Sequence, residues 1–352
     1  MIYTVTFNPS LDYSIRINDF AFGGLNRIGE EAIRVGGKGV NVSIVLNSLG
    51  VDNTALGFIA GFTGKHIESE MQRLGCTTQF TELPEGFSRI NVKLDKASEP
   101  QTEMNGQGPS VSGEECKQFI GRMERKIKAG DCLILSGSIP RSMPRDMYEK
   151  ILEVIDMEKV LVIVDTNSDL LRRTLPYHPF LIKPNLIELG EIFGRSLTDY
   201  DDIVGCAMHL QEEGARNVLV SMGADGAILV TENGQVFSSP APKADDLSQE
   251  LVDVNGAGDA MVAGFLAGYL ERHSMVDGFA KGLAAGSATV YTSGLADKQQ
   301  INLVVETKDV DNIVEKVKQV LYTGHIGDGK IFVYSIDNVI KVRTGDEGID
   351  AL

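Results

Sequence analysis

The chain is short of positive charge: 33 Lys and Arg stand against 49 Asp and Glu, a formal net charge of −16. That balance argues against nucleic acid or an anionic membrane as a partner, since both gather on basic patches. Long apolar runs are missing too. Hydrophobic residues make up 43% of the sequence, yet no stretch reaches the roughly 20 residues that a membrane-crossing helix needs. Cysteine is sparse: Cys76, Cys116, Cys132 and Cys206 lie scattered, with no C-x-x-C pair. This excludes a disulfide scaffold and suits reduced thiols in the cytoplasm. The five histidines are isolated and form no metal-binding cluster. The N-terminus enters a strand pattern directly, so no secretion signal is expected. What remains, 352 residues with ample apolar content, suits one α/β core with additions.

Periodicity supplies the order of elements. Residues 2–7, 55–59, 132–136, 160–165, 180–183 and 218–221 read as buried strands, and 39–49, 64–74, 114–129, 145–157 and 200–213 as helices. A helical stretch also begins near Asn185, and residues 282–289 form a helix of small residues. Strands and helices alternating in this way predict a parallel sheet covered on both faces, with ligands at the strand C-terminal ends. Segments 11–20, 27–35 and 88–94 alternate apolar and polar residues instead. They predict a small, half-exposed sheet apart from the main core.

Chemistry concentrates where glycines meet helix starts. Gly256-Ala257-Gly258-Asp259 precedes the apolar helical run 260–270. The free N–H groups of Gly256, Ala257 and Gly258 would converge on one point with the helix dipole behind them, a site for negative charge. Asp259 beside an anion site makes sense as a base that takes a proton from an attacking hydroxyl. The plainer alternative is a glycine-rich turn before a packed helix. Gly36-Gly37-Lys38-Gly39-Val40-Asn41 offers close backbone approach at Gly36 and Gly37, with a point charge for phosphate at Lys38. Arg27 and Arg89 can clamp the same phosphate through their planar forks or stand as solvated charges. Asp12 is a ligand for hydroxyls or a turn former after Pro9. Asn185 and Glu188, after Lys183-Pro184, either organise Mg²⁺ near triphosphate oxygens or close a capping box. Ser221 to Gly226, with Gly223 between, gives small residues that can pass under a nucleotide or make an ordinary turn.

These motifs, in this order, resemble those of the ribokinase-like, PfkB-type sugar kinases. The opening Asn8-Pro9-Ser10-Leu11-Asp12 and the stretch Thr102-Glu103-Met104-Asn105-Gly106 are similar to the 1-phosphofructokinase branch. The resemblance covers residues 1–298. It implies a ribokinase-like α/β fold with a small β lid made of segments about 10–35 and 86–106, and ATP and Mg²⁺ as cofactors. It implies a phosphoketose acceptor, with fructose 1-phosphate converted to fructose 1,6-bisphosphate. The alternatives are a tagatose-6-phosphate or fructose-6-phosphate kinase, or a nucleotide-sensing regulator on a kinase scaffold. By the same resemblance, Asp259 is the base, and Gly256, Ala257 and Gly258 hold the transferring phosphoryl. Asp12, Arg27, Gly37, Lys38, Asn41, Arg89 and Asn105 bind the sugar phosphate. Lys183, Asn185, Ser221, Gly223 and Gly226 face the nucleotide, Asn185 and Glu188 the metal. Exposed lid edges want a partner, so a homodimer through the lid is expected.

Residues 299–352 depart from this pattern. Stretches 301–305, 330–333 and 339–342 read as strands and 310–321 as an amphipathic helix. Thr323-Gly324-His325-Ile326-Gly327-Asp328-Gly329-Lys330, with Lys341 and Arg343, resembles the C-terminal half of nitrogen-regulatory P-II proteins, which implies half of a ferredoxin-like unit. The other half is missing, so weak or absent ATP binding is expected there.

Overall fold

The computed structural model describes residues 1–17, 20–96, 101–241 and 256–290, together with the pairs 340–341 and 346–347. Contacts divide the chain into two units, Met1–Asp297 and Lys298–Leu352. In the second unit Ile340–Lys341 pairs antiparallel with Asp346–Glu347. The other elements expected after residue 298, including the Gly327-Asp328-Gly329-Lys330 loop, lie outside the described residues.

In the first unit the elements run β1 (Ile2–Thr6), β2 (Ser10–Ile17), β3 (Glu30–Gly36), α1 (Lys38–Ser48), β4 (Asn53–Ala60), α2 (Gly61–Arg73), β5 (Thr77–Thr78) and β6 (Thr81–Leu83). Then come β7 (Arg89–Lys96), β8 (Thr102–Asn105), α3 (Gly113–Lys126), β9 (Cys132–Ser136), α4 (Met147–Leu152), β10 (Leu161–Asp165), α5 (Ser168–Thr174) and β11 (Leu181–Ile182). The series ends with α6 (Leu186–Phe193), α7 (Tyr200–Glu212), β12 (Asn217–Ser221), β13 (Ala227–Val230), β14 (Val236–Ser239), α8 (Ala257–Arg272) and α9 (Met275–Val290). The main sheet has the order β14-β13-β12-β11-β10-β9-β1-β4-β5, with β6 also on β4. From β12 to β5 its pairs are parallel. An antiparallel edge hairpin, β13 and β14, was not expected from the sequence.

Both faces are covered, as all-parallel strands require. On one face Phe7, Phe58, Phe119 and Tyr148 form an aromatic cluster, with Phe7 centroids 5.5 Å from Phe119 and 5.4 Å from Tyr148. Beneath the other face lie α1, α8 and α9, with Val42, Leu46, Val262, Phe265 and Leu266 buried. The separate sheet expected from the alternating segments is present, made of β2, β3 and β7 with β8 added, in the order β3-β2-β7-β8.

Of the boundaries that differ from the sequence reading, two have a local cause. The strand expected from Arg27 begins only at Glu30, because the Asn26 side chain holds a turn through Ala21 N–H and the Ala21 and Gly24 carbonyls. The helix expected over 145–157 is reduced to α4. After Glu153 the backbone tightens to bonds from Val154 N–H to Ile151 and from Ile155 N–H to Leu152.

Candidate active site

The C-terminal ends of β1, β9, β10 and β11 open onto a cavity of about 220 Å³, lined by Thr6, Asn8, Gly37, Lys38, Arg89, Gly137, Ser138, Asn167 and Glu188. Helices α1 and α8 approach with their N-termini. Helices α3, α5, α6 and α7 have first turns closed by the side chains of Ser112, Asn167, Asn185 and Asp199. At α1 and α8 the capping positions are Gly37 and Gly256, and among the described residues no side chain caps either first turn. Their N–H groups are left for an external acceptor. Gly256 holds φ +80°, a left-handed angle that suits glycine.

The two helix starts meet through one hydrogen bond: Asn41 Nδ2 donates to Asp259 Oδ2 at 2.7 Å. Asp259 is buried. Burial and the nearby Asp165 carboxylate push its pKa up to about 6, against the opposing pull of Lys38, the Asn41 hydrogen bond and Lys183. Asp165, fully buried at the end of β10, is the hub of this cluster. Lys38 Nζ lies 2.8 Å and Lys183 Nζ 3.4 Å from its Oδ1. Burial alone would raise the Asp165 pKa; Lys183 and Lys38 outweigh it and hold the group below the usual carboxylate range. Burial works against the Lys38 charge, but Asp165, Glu188 and Asp259 raise its pKa overall. The result is a charged network of two ammonium groups, one firmly ionised carboxylate and one carboxylate poised to take a proton. Gly258 belongs to it by size, since a Cβ there would come 3.1 Å from Lys183 Nζ.

Asn185 and Glu188 form the capping box in full. Glu188 N–H donates to Asn185 Oδ1 and Asn185 N–H to Glu188 Oε2, each at 2.8 Å. The second Glu188 oxygen, Oε1, is 3.8 Å from Lys38 Nζ. Glu188 therefore both caps α6 and lines the cavity. Ser221 ends β12 and bridges to Asn185, and a short turn at Gly223–Asp225 leads to Gly226.

On the lid, Asp12 Oδ1 accepts from Ser10 Oγ at 2.7 Å and from Asn91 Nδ2 at 2.9 Å. Its carboxylate rests on Gly36, where an added Cβ would meet all three carboxylate atoms at 2.8 Å. Arg89 Nε donates to the Asn8 carbonyl at 3.0 Å, and burial lowers its pKa against the pull of Asp12. Asn105 sits exposed at the end of β8, in register with Asn91. Arg27 is exposed in the loop before β3 and makes no hydrogen bond or ion pair with the other residues expected at the site, among the described residues. The structure thus brings Gly37, Lys38, Asn41, Lys183, Asn185, Glu188, Gly258 and Asp259 together, with Asp12 and Arg89 on the lid side, and leaves Arg27 apart.

Sequence reasoning missed Asp165, Gly137, Ser138 and Asn167. Each follows the last apolar residues of a central strand, which is the one signal that pointed to them. Tyr148 Oη and Thr166 Oγ1 both donate to the Gly137 carbonyl, at 2.9 and 2.7 Å, and so fix that strand end from the core side.

Comparison with known proteins finds a matching family and similar structures. The family described as pfkB family carbohydrate kinase matches residues 5–302. The 1-phosphofructokinase of Bacillus subtilis (strain 168) is 42% identical over 309 residues, covering 88% of this chain and 99% of that protein. The D-tagatose-1-phosphate kinase of Bacillus licheniformis is 36% identical over 303 residues, covering 86% and 96%. Among solved structures, phosphofructokinase-2 from Escherichia coli in complex with fructose-6-phosphate superposes with a TM-score of 0.74 at 28% identity, covering 82% and 93%.

Proposed function

The chain belongs to the pfkB family of carbohydrate kinases, and we propose that it moves the terminal phosphoryl group of ATP onto fructose 1-phosphate, giving fructose 1,6-bisphosphate and ADP. The observation that carries this reading is the Asn41–Asp259 contact, where two uncapped helix N-termini meet a carboxylate with a pKa near 6. Asn41 occupies Asp259 Oδ2, so Oδ1 is the oxygen left to take the proton of the acceptor hydroxyl. That hydroxyl oxygen forms the new P–O bond as the bond to ADP breaks, and the proton stays on Asp259. The N–H groups at Gly256, Ala257 and Gly258 hold the charge of the phosphoryl in flight.

Lys38 and Arg89, which flank the cavity, take the phosphate that the sugar already carries. Asp12 and Asn41 receive sugar hydroxyls over the backbone of Gly37; Asn105 and Arg27 are assigned to that side on the sequence resemblance alone. Lys183, Asn185, Ser221, Gly223 and Gly226 border the nucleotide. Mg²⁺ fits the donors present. Glu188 Oε1 is free of the capping box, whereas Asn185 Oδ1 is committed to it. No group of three or more His, Cys, Asp or Glu side chains suits a metal by itself among the described residues. Glu188 would hold the ion jointly with triphosphate oxygens and water. Bound there, Mg²⁺ neutralises phosphate charge.

The lid is proposed as a homodimer contact. Ile33, Tyr13, Val92 and Met104 stand in one register row on one face of its sheet, with Ile33 61% and Met104 53% exposed. For residues 299–352 the P-II-like reading stays a proposal on sequence. Incubating the protein with ATP and fructose 1-phosphate and following ³¹P NMR tests the main reading. Signals of fructose 1,6-bisphosphate and ADP are expected; fructose 1-phosphate left unchanged would overturn it. D-Tagatose 1-phosphate is the second acceptor to try, given the 36% identical relative that bears that name.

A further inference from the structure

The polar face of the lid carries an ion pair whose cation, Lys93, has no part in the reaction as described. Lys93 Nζ lies 2.9 Å from Asp12 Oδ2, with only 14% and 17% of the two side chains exposed. Strand pairing explains the meeting. β2 and β7 run parallel with Ser10 opposite Arg89, Asp12 opposite Asn91 and Ser14 opposite Lys93. All six residues therefore project from one face of the sheet. It is the face from which Arg89 reaches the cavity.

Asp12 is held from every side. Ser10 and Asn91 donate to Oδ1, Lys93 to Oδ2, and Gly36 lies beneath the carboxylate. An ionised carboxylate accepts about four hydrogen bonds. Three donors leave a single acceptor direction, on Oδ2. We propose that Lys93 is a positioning residue: it fixes Asp12 so that this one direction receives one hydroxyl of the ketose phosphate. The proposal rests on the reading of Asp12 as a sugar ligand in a ketose-phosphate kinase. Lys93 then sets affinity for the sugar, and leaves ATP binding and the chemical step, which belong to the main-sheet side, largely alone.

The test compares KM and kcat for fructose 1-phosphate and for ATP in wild type, Lys93→Met, Lys93→Arg, Asp12→Asn and the Asp12→Asn/Lys93→Met pair, with melting temperatures alongside. Lys93→Met is expected to raise the sugar KM roughly tenfold, the cost of one charge-assisted contact, with ATP KM and kcat held within about twofold. Lys93→Arg should restore most of the affinity. In the Asp12→Asn background the loss of Lys93 should add little, because its effect runs through Asp12. Should Lys93→Met not fold, Lys93→Gln serves the same comparison. An unchanged sugar KM with a lowered melting temperature would make the pair a structural brace and overturn the proposal. An undiminished penalty in the Asp12→Asn background would overturn it as well. A wild-type protein that ignores fructose 1-phosphate but accepts another ketose phosphate would refute the substrate reading instead, and the same variants would then be read with that sugar.

Discussion

At the scale of single residues, the proposed chemistry turns on Asp259 as its base. Asp259→Asn keeps the shape and the Asn41 contact but cannot take a proton, so kcat should fall by roughly a hundredfold or more with ATP affinity near wild type. Steady-state kinetics with calorimetric ATP binding checks this. The pH dependence follows from the same group. A base must be deprotonated to work, so kcat/KM should fall as pH drops below about 6. Asp165 raises the Asp259 pKa and Lys38 lowers it. Hence Asp165→Asn should move the acid limb of the pH–rate profile down, and Lys38→Ala should move it up. A limb that stays in place in both variants would assign it to another group. Local glycine and charge patterns made Lys38, Asn41, Gly258 and Asp259 legible in the sequence, since each sits beside its helix start. Asp165 was not legible: it closes an apolar strand like any other, and its partners Lys38 and Lys183 come from elsewhere in the chain.

At the scale of elements, the alternating strands and helices of the main sheet were readable because burial on both faces leaves apolar runs bounded by turns. The edge hairpin was not read because Ala227–Val230 is only four apolar residues straight after a turn, and Val236–Ser239 is half polar. The lid was readable from alternation, and its two faces account for that alternation. One face carries Asp12, Arg89 and Asn91; the other carries Ile33, Tyr13, Val92 and Met104. A charge on the apolar face should weaken self-association without touching the polar one. Ile33→Glu or Met104→Glu is expected to shift the protein from dimer to monomer in sedimentation velocity. A wild type that is monomeric at the same concentration would remove the lid dimer from the account.

At the scale of the whole molecule, the kinase signature and the proposed catalytic network lie within Met1–Asp297, and the family match ends at residue 302. A chain stopped after Lys298 should therefore keep kcat and both KM values within about twofold of the full chain, provided it stays folded. Loss of turnover in a folded, truncated chain would show that residues 299–352 contribute to the site. The remaining question is which ketose phosphate the cationic side of the cavity grips. It is answered most directly by the relative kcat/KM for fructose 1-phosphate, D-tagatose 1-phosphate, fructose 6-phosphate and tagatose 6-phosphate, measured in one coupled ADP-release assay. The account predicts the highest value for fructose 1-phosphate; a higher value for fructose 6-phosphate, or equal turnover of unphosphorylated fructose, would contradict it.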